Sequence, residues 1–105
     1  MKTLAISLAV LALASTAAFA ADAKAGQAGY DKSCKGCHGA AGVANPAIEK
    51  MFPTIADLTS ARVQGQSDAD LKKVITDGKG KMKPFSAKLT DAQIKDVVSY
   101  FRTLK

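Results

Sequence analysis

The sequence predicts an all-α domain. Three segments carry apolar residues at helical spacing, each opened by a side chain suited to capping, and no convincing apolar strand run interrupts them. The first, "DAKAGQAGYDKSC" from Asp22 to Cys34, holds good helix formers behind a possible Asp22 cap. Gly26, Tyr30 and Cys34 follow at steps of four and so share one face. The second begins at Ser67-Asp68-Ala69-Asp70, turns Leu71, Val74 and Ile75 inward and meets Gly78, a residue suited to ending it. The third has the clearest signature: Thr90-Asp91-Ala92-Gln93 is a capping box, with Ile94, Val97, Val98, Phe101 and Leu104 following at helical spacing.

The chain has 105 residues, 23% charged and 48% hydrophobic, enough for one small globular domain and no second. Its start reads as a secretory signal peptide: Lys2, then the apolar run "TLAISLAVLALASTAAFA", then the small-residue pattern Ala18-Phe19-Ala20. The same run could serve as an uncleaved anchor, but its alanine content and cleavage pattern favour removal after Ala20. The expected organisation is therefore a signal peptide over 1–20 and an exported, periplasmic domain over 21–105. Losing those twenty residues, Lys2 among them, leaves 85 residues and turns the net charge from +6 to +5.

A core that small gives marginal stability, so a further staple is expected. A basic balance invites nucleic acid, but an exported chain without interleaved aromatic and basic residues argues against it. Acidic protein surfaces or anionic membranes are the expected counterparts, with no stable membrane insertion once the signal is cleaved.

The staple is sought in "CKGCH". Cys34 and Cys37 are the only cysteines and His38 the only histidine. In an oxidising compartment a local disulfide, a metal site and covalent cofactor attachment compete. Zinc asks for about four ligands and finds three. A thioredoxin-like redox pair asks for a βαβ context that this chain does not offer. The remaining reading of C-x-x-C-H is c-type haem attachment: two thiols add across the haem vinyl groups and the adjacent imidazole is directed at the iron.

Two irregular segments fit that reading. Gly39 to Gln66 is too long for a simple connector in a compact domain unless it wraps something, and a haem gives it a surface. "GKGKMKPF", after the middle helix, frames Met82 between glycines and a proline. A thioether held on a loop can be a ligand.

Together these residues resemble the class I c-type cytochromes, the small soluble monohaem proteins, close to the short bacterial and c6-like forms. The resemblance spans essentially the whole of 21–105. It rests on Gly26, Tyr30, Cys34, Cys37, His38 and Gly39, on Met82 and Pro84, and on Val97, Tyr100 and Phe101. It implies a cytochrome c fold of three main helices with long loops around one covalent haem. It also implies that the first helix crosses the last, Gly26 and Tyr30 meeting Val97 and Tyr100. One departure is visible: the common bacterial pattern sets Pro directly after Met, whereas here Lys83 intervenes.

Bis-histidine ligation by one chain is impossible with His38 alone. Met51 and Met82 are the remaining methionines once the signal is removed; Met51 reads as core filler, and the resemblance implies Met82 as the sixth ligand. The family's second imidazole nitrogen donates to a proline carbonyl, for which Pro46 is the first choice and Pro53 the reserve. Tyr30, Phe52, Phe85 and Tyr100 are candidate haem neighbours. The expected site is thus Cys34 and Cys37 for attachment and His38 and Met82 on the iron, with no catalytic residue.

The expected function is a periplasmic, monomeric, one-electron carrier between redox proteins, not an enzyme. Lys79, Lys81, Lys83 and Lys88 surround the expected ligand loop, with Lys72 and Lys73 on the preceding helix and Lys35 between the cysteines; on composition they read equally as a solvated face, while the resemblance implies an exposed haem edge near this loop, to which they would steer acidic partners. Two alternatives stand beside this: a haem c ligand-binding or peroxidase-like protein with an open sixth site, and a haem-free thiol-disulfide oxidoreductase.

Overall fold

The computed structural model describes residues 21–105; the expected signal peptide lies outside the described residues. The elements are α1 (Ala23–Ser33), α2 (Lys35–His38), α3 (Pro46–Met51), α4 (Ala61–Gln64), α5 (Asp68–Asp77) and α6 (Asp91–Phe101). The three helices expected from sequence are α1, α5 and α6. The other three are short turns of helix, two of them inside the segment expected to wrap a ligand.

Each long helix starts where a side-chain oxygen accepts otherwise unpaired backbone N–H groups. Asp22 accepts from Lys24 and Ala25, Ser67 from Asp70, and Thr90 from Gln93, whose own side chain accepts from the Thr90 N–H to complete the capping box. The short turns are capped in the same way, by Asn45 on Ile48 with Pro46 at the first helical position, and by Ser60 on Val63. Gly78, with φ of 76°, ends α5 and carries its N–H to the Val74 carbonyl.

The frame of the molecule is the crossing of α1 on α6. Gly26 lies so close to α6 that a Cβ there would overlap the Asp96 carbonyl and stand 3.0 Å from the Val97 nitrogen. One turn on, the Tyr30 ring packs 5.2 Å, centroid to centroid, from that of Tyr100, tilted by 59°. The contact implied by the family resemblance is therefore present. Tyr30 and Ile94 are the largest side chains wholly withdrawn from water.

The second contact zone joins α5 to α6. Leu71, Val98 and Phe101 cluster with Val63 of α4, and Ala56, Leu58 and Ile75 pack around them. Arg102 ties this corner to the loops: its guanidinium donates to the carbonyls of Gln64 and Gln66 and to the Asp68 carboxylate. The outcome is a helical frame on one side and a looped wall, residues 39–66 and 78–89, on the other.

Candidate haem site

Cys34 closes α1 and opens α2, and this local path explains the C-x-x-C-H spacing. The N–H of Cys34 donates to the Tyr30 carbonyl; those of Cys37 and His38 both donate to Cys34, at 3.2 and 2.9 Å. One helical turn therefore brings residues i, i+3 and i+4, two thiols and an imidazole, to the same face. Gly39 then stops the turn with φ of 77°, where a Cβ would strike the Val43 carbonyl. The turn is also held from behind: the Tyr30 hydroxyl donates to the Gly39 carbonyl at 2.6 Å. Burial, with the Cys34 thiol and Tyr100 adding to it, pushes the Tyr30 phenol up to about 12, so it stays a donor at any ordinary pH.

Cys34, Cys37 and His38 open into one cavity of about 650 Å³. Residues Phe52 to Ala56 and Leu58 form one wall. Leu71, Val74 and Ile75 of α5 and Val97, Val98 and Phe101 of α6 form the floor, and Lys79 to Met82 close another side. The lining is largely apolar. Its polar members include Lys79 and Lys81, which the sequence already placed around the Met82 loop, and Arg62 and Gln66, which nothing in the polar stretch around the short α4 marks as cavity residues.

Both cysteines are free thiols. Cys34 is half-buried and its pKa is pushed up to about 11, by burial first and by Cys37 second. A thiol held protonated in this way is a poor nucleophile for disulfide exchange, which depends on a depressed pKa. His38 has the complementary property: burial lowers its pKa, so the ring is held neutral with a lone pair to offer, the Ala56 backbone opposing this more weakly. His38 Nδ1 is buried and makes no hydrogen bond of good geometry.

The backbone group acting on His38 is therefore that of Ala56 rather than of Pro46 or Pro53. Pro46 starts α3 and does not line the cavity, whereas Pro53 does. The reason is the path of the wall: after α3 the chain turns at Phe52–Ile55 and carries Ala56, not the helix start, past the imidazole. Of the four aromatic residues expected near the cofactor, Tyr30 and Phe52 line the cavity, while Phe85 and Tyr100 do not.

The two methionines are separated clearly. Met82 is half-buried in the cavity lining; Met51, the last residue of α3, is 62% exposed and outside it. Neither description fits Met51 as core filler, so that expectation is corrected: the residue is a surface one. Met82 is held by its backbone in a tight two-residue hairpin. Lys79 and Met82 exchange both N–H···O bonds at 3.0 Å around Gly80 and Lys81. Gly80 has φ of 57° and, among the described residues, no non-glycine residue has positive φ, the sign pattern of a type II′ turn. Gly78 adds a close approach, since a Cβ there would stand 2.6 Å from the Met82 carbonyl.

Haem c fits these residues. Two thiols and a neutral imidazole share one edge of an apolar cavity, the imidazole carries a buried nitrogen without a partner, and a thioether stands in the same lining.

Comparison with known proteins agrees with this geometry. A family model described as "Cytochrome C oxidase, cbb3-type, subunit III" matches residues 21–101. Among solved structures, the KustC0563 c-type cytochrome aligns with a TM-score of 0.68 at 30% identity, over 76% of this chain and 96% of its own. A variant of that cytochrome with one tyrosine replaced by phenylalanine aligns with a TM-score of 0.66 at 29% identity, over 76% of this chain and 98% of its own. No curated protein matches the chain. Among the described residues, no helix is long and apolar enough to cross a membrane. The family match, the fold and the cavity lead to one conclusion: the chain belongs to this family of c-type cytochrome domains, as a small monohaem class I c-type cytochrome with covalently attached haem c and the general role of an electron carrier.

Proposed function

We propose that this chain is an exported, periplasmic, monomeric carrier that shuttles one electron at a time between redox proteins, its haem c held by Cys34 and Cys37 and its iron by His38 and Met82. The observation that carries this reading is the shared lining: both thiols, the imidazole and the Met82 thioether line one apolar cavity, while Met51 faces solvent.

When bound, haem c supplies a ferric–ferrous couple that accepts and returns one electron. The residues around it do the rest. Cys34 and Cys37 would hold the group covalently, each S–H adding across one haem vinyl to leave a thioether. His38, neutral because it is buried, offers its lone pair without first losing a proton. A Met82 thioether favours the reduced iron and raises the potential relative to a second histidine. Leu71, Val98 and Phe101 keep water from the floor of the site. No substrate is required and no bond changes in turnover.

Lys79, Lys81 and Lys83 are all exposed beside Met82. Positive charge there steers acidic partners toward the cavity's open edge. Such steering raises association rates and fades as salt screens it over roughly 10 Å at 0.1 M.

The deciding experiment is optical and near-infrared spectroscopy of the purified ferric protein. Haem that survives acid acetone extraction, together with the weak near-infrared sulfur-to-iron band, is the expected result. Loss of that band in Met51→Ala and its survival in Met82→Ala would reverse the ligand assignment. Stopped-flow electron transfer to an acidic redox protein should slow as ionic strength rises, and slow similarly in a Lys79→Gln, Lys83→Gln variant. A flat or rising salt profile would remove the steering role.

A further inference from the structure

The Met82 hairpin meets the loop that begins at Phe52 through a cation–π contact. Lys81, at the tip of the hairpin, holds its Nζ 5.8 Å from the centroid of the Phe52 ring, over its face. Both residues line the cavity, and Lys81 is exposed, so the contact lies at the solvent edge of the site. Lys81 stands one residue before Met82, and Phe52 begins the segment that carries Ala56 past His38. The contact therefore bridges two separate loops that both line the cavity.

The hairpin is stiff enough to transmit what happens at its tip. Its paired 3.0 Å hydrogen bonds and the close approach at Gly78 tie Lys81 and Met82 into one unit, so moving one moves the other. A second contact of the same kind supplies the comparison: Lys88 Nζ lies 5.9 Å from the Phe85 ring, but both residues belong to one short loop segment and Phe85 does not line the cavity. The chemistry is the same in the two pairs, and only the first joins separate walls.

We propose that Lys81 and Phe52 form a clasp. The pair holds the Met82 hairpin against the loop that begins at Phe52 and so sets how readily an external ligand displaces Met82. Lys81 and Phe52 are positioning residues, acting through the hairpin; the proposal rests on Met82 being the sixth ligand. The guanidinium of an arginine also stacks on an aromatic ring, so Lys81→Arg keeps the clasp while Lys81→Gln and Phe52→Leu open it.

The test is the rate at which imidazole, at a pH where it is neutral, replaces Met82 in the ferric holoprotein, followed by loss of the sulfur-to-iron band. A partly exposed cation–π contact corresponds to a change of about two- to five-fold. Lys81→Gln and Phe52→Leu should each speed replacement by about that factor, and the double variant should go no further than either single one, because both remove the same contact. Lys81→Arg should restore the wild-type rate, and Lys88→Gln should not change it. Lys81 is exposed, so its substitution tests the clasp even where Phe52→Leu perturbs folding. Unchanged rates in Lys81→Gln, fully multiplicative effects in the double variant, or equal acceleration by Lys88→Gln would overturn the clasp. Absence of the sulfur band from the wild type, or its survival in Met82→Ala, would overturn the ligand assignment and the clasp with it, and is distinguishable because it precedes any kinetic comparison.

Discussion

The α1–α6 crossing and the looped wall are built on opposite principles. The crossing is packed mainly by its own residues, although Val98 and Phe101 also meet Val63 of the wall: Gly26 admits the Asp96 backbone, Tyr30 meets Tyr100, and Ile94, Val97, Val98 and Phe101 are all buried. In the wall from Gly39 to Gln66, only Gly42, Ala44 and Val63 are buried; Phe52, Ile55 and Leu58 turn toward the cavity, while Val43 and Met51 face solvent. One half is stabilised by its own side chains. The other places its apolar surface where the cofactor has to be. Apolar burial is worth roughly 25 cal/mol per Å², and a domain of this size has little of it to spare. Folding and cofactor attachment are thereby coupled through the wall rather than through the frame.

The largest expected effect follows directly. A Cys34→Ala, Cys37→Ala variant, unable to hold haem covalently, should lose cooperative thermal unfolding. Hydrogen exchange should find residues 39–66 unprotected, with any remaining protection confined to α1 and α6. A sharp, cooperative transition in this variant without haem would break the comparison, because the wall would then be stable on its own.

The frame is tested by Gly26→Ala. Alanine ordinarily favours a helix over glycine by roughly 1 kcal/mol, but here its Cβ meets backbone that cannot step aside. Overpacking of this kind costs about 1–3 kcal/mol, so the net change should be destabilising. The melting temperature of the holoprotein should fall while the sulfur-to-iron band is retained. Loss of the band at unchanged stability would mean that the crossing governs the site rather than the stability of the fold.

Those two tests also mark where the sequence was readable. The frame was written in local signals: Asp22, Ser67 and Thr90 cap the helices they were expected to cap, and the four-residue spacing of Gly26, Tyr30 and Cys34 is the face α1 presents. The attachment turn was legible for the same reason, since i, i+3 and i+4 meet on any helical turn. The wall was not. Asn45-Pro46 and Ser60 are proper helix starts, but six- and four-residue helices are too short to show periodicity and were absorbed into one long loop. That Ala56 rather than Pro46 faces His38, and that Lys81 reaches Phe52, depends on the path of a loop whose course is set by what it encloses.

Tyr30→Phe lies between the two regions, because the ring belongs to the crossing and the hydroxyl holds the turn that carries His38. Removing the hydroxyl keeps the packing and leaves the Gly39 carbonyl without this donor, a loss of about 1–3 kcal/mol. Destabilisation with a wild-type spectrum is the expected result. A shift in potential or in the band would show that the hydrogen bond also fixes the imidazole.

The smallest effect expected is electrostatic, and each region offers one exposed carboxylate for it. In the wall, Asp57 accepts from the Thr59 hydroxyl at 2.6 Å and from its N–H at 2.8 Å, which lowers its pKa below the ordinary 3.8. In the frame, Asp91 at the start of α6 is lowered by its contact with Lys72 of α5, and less by Lys95. A carboxylate whose folded pKa is depressed contributes stability above its unfolded pKa, and that contribution disappears as pH falls through the folded value. Both contributions should therefore be intact at neutral pH and lost in the acid range below about pH 4. Asp57→Asn and Asp91→Asn should each flatten the acid limb of a stability-versus-pH curve slightly and leave its shape above pH 6 unchanged. Salt separates them: the Lys72 pair is screened, so raising ionic strength should shrink the Asp91 effect, while the Asp57 effect, made by hydrogen bonds from an uncharged neighbour, should persist. Equal salt sensitivity in the two variants would mean that the wall is held by long-range charge, and that the contrast between the regions lies in apolar burial alone.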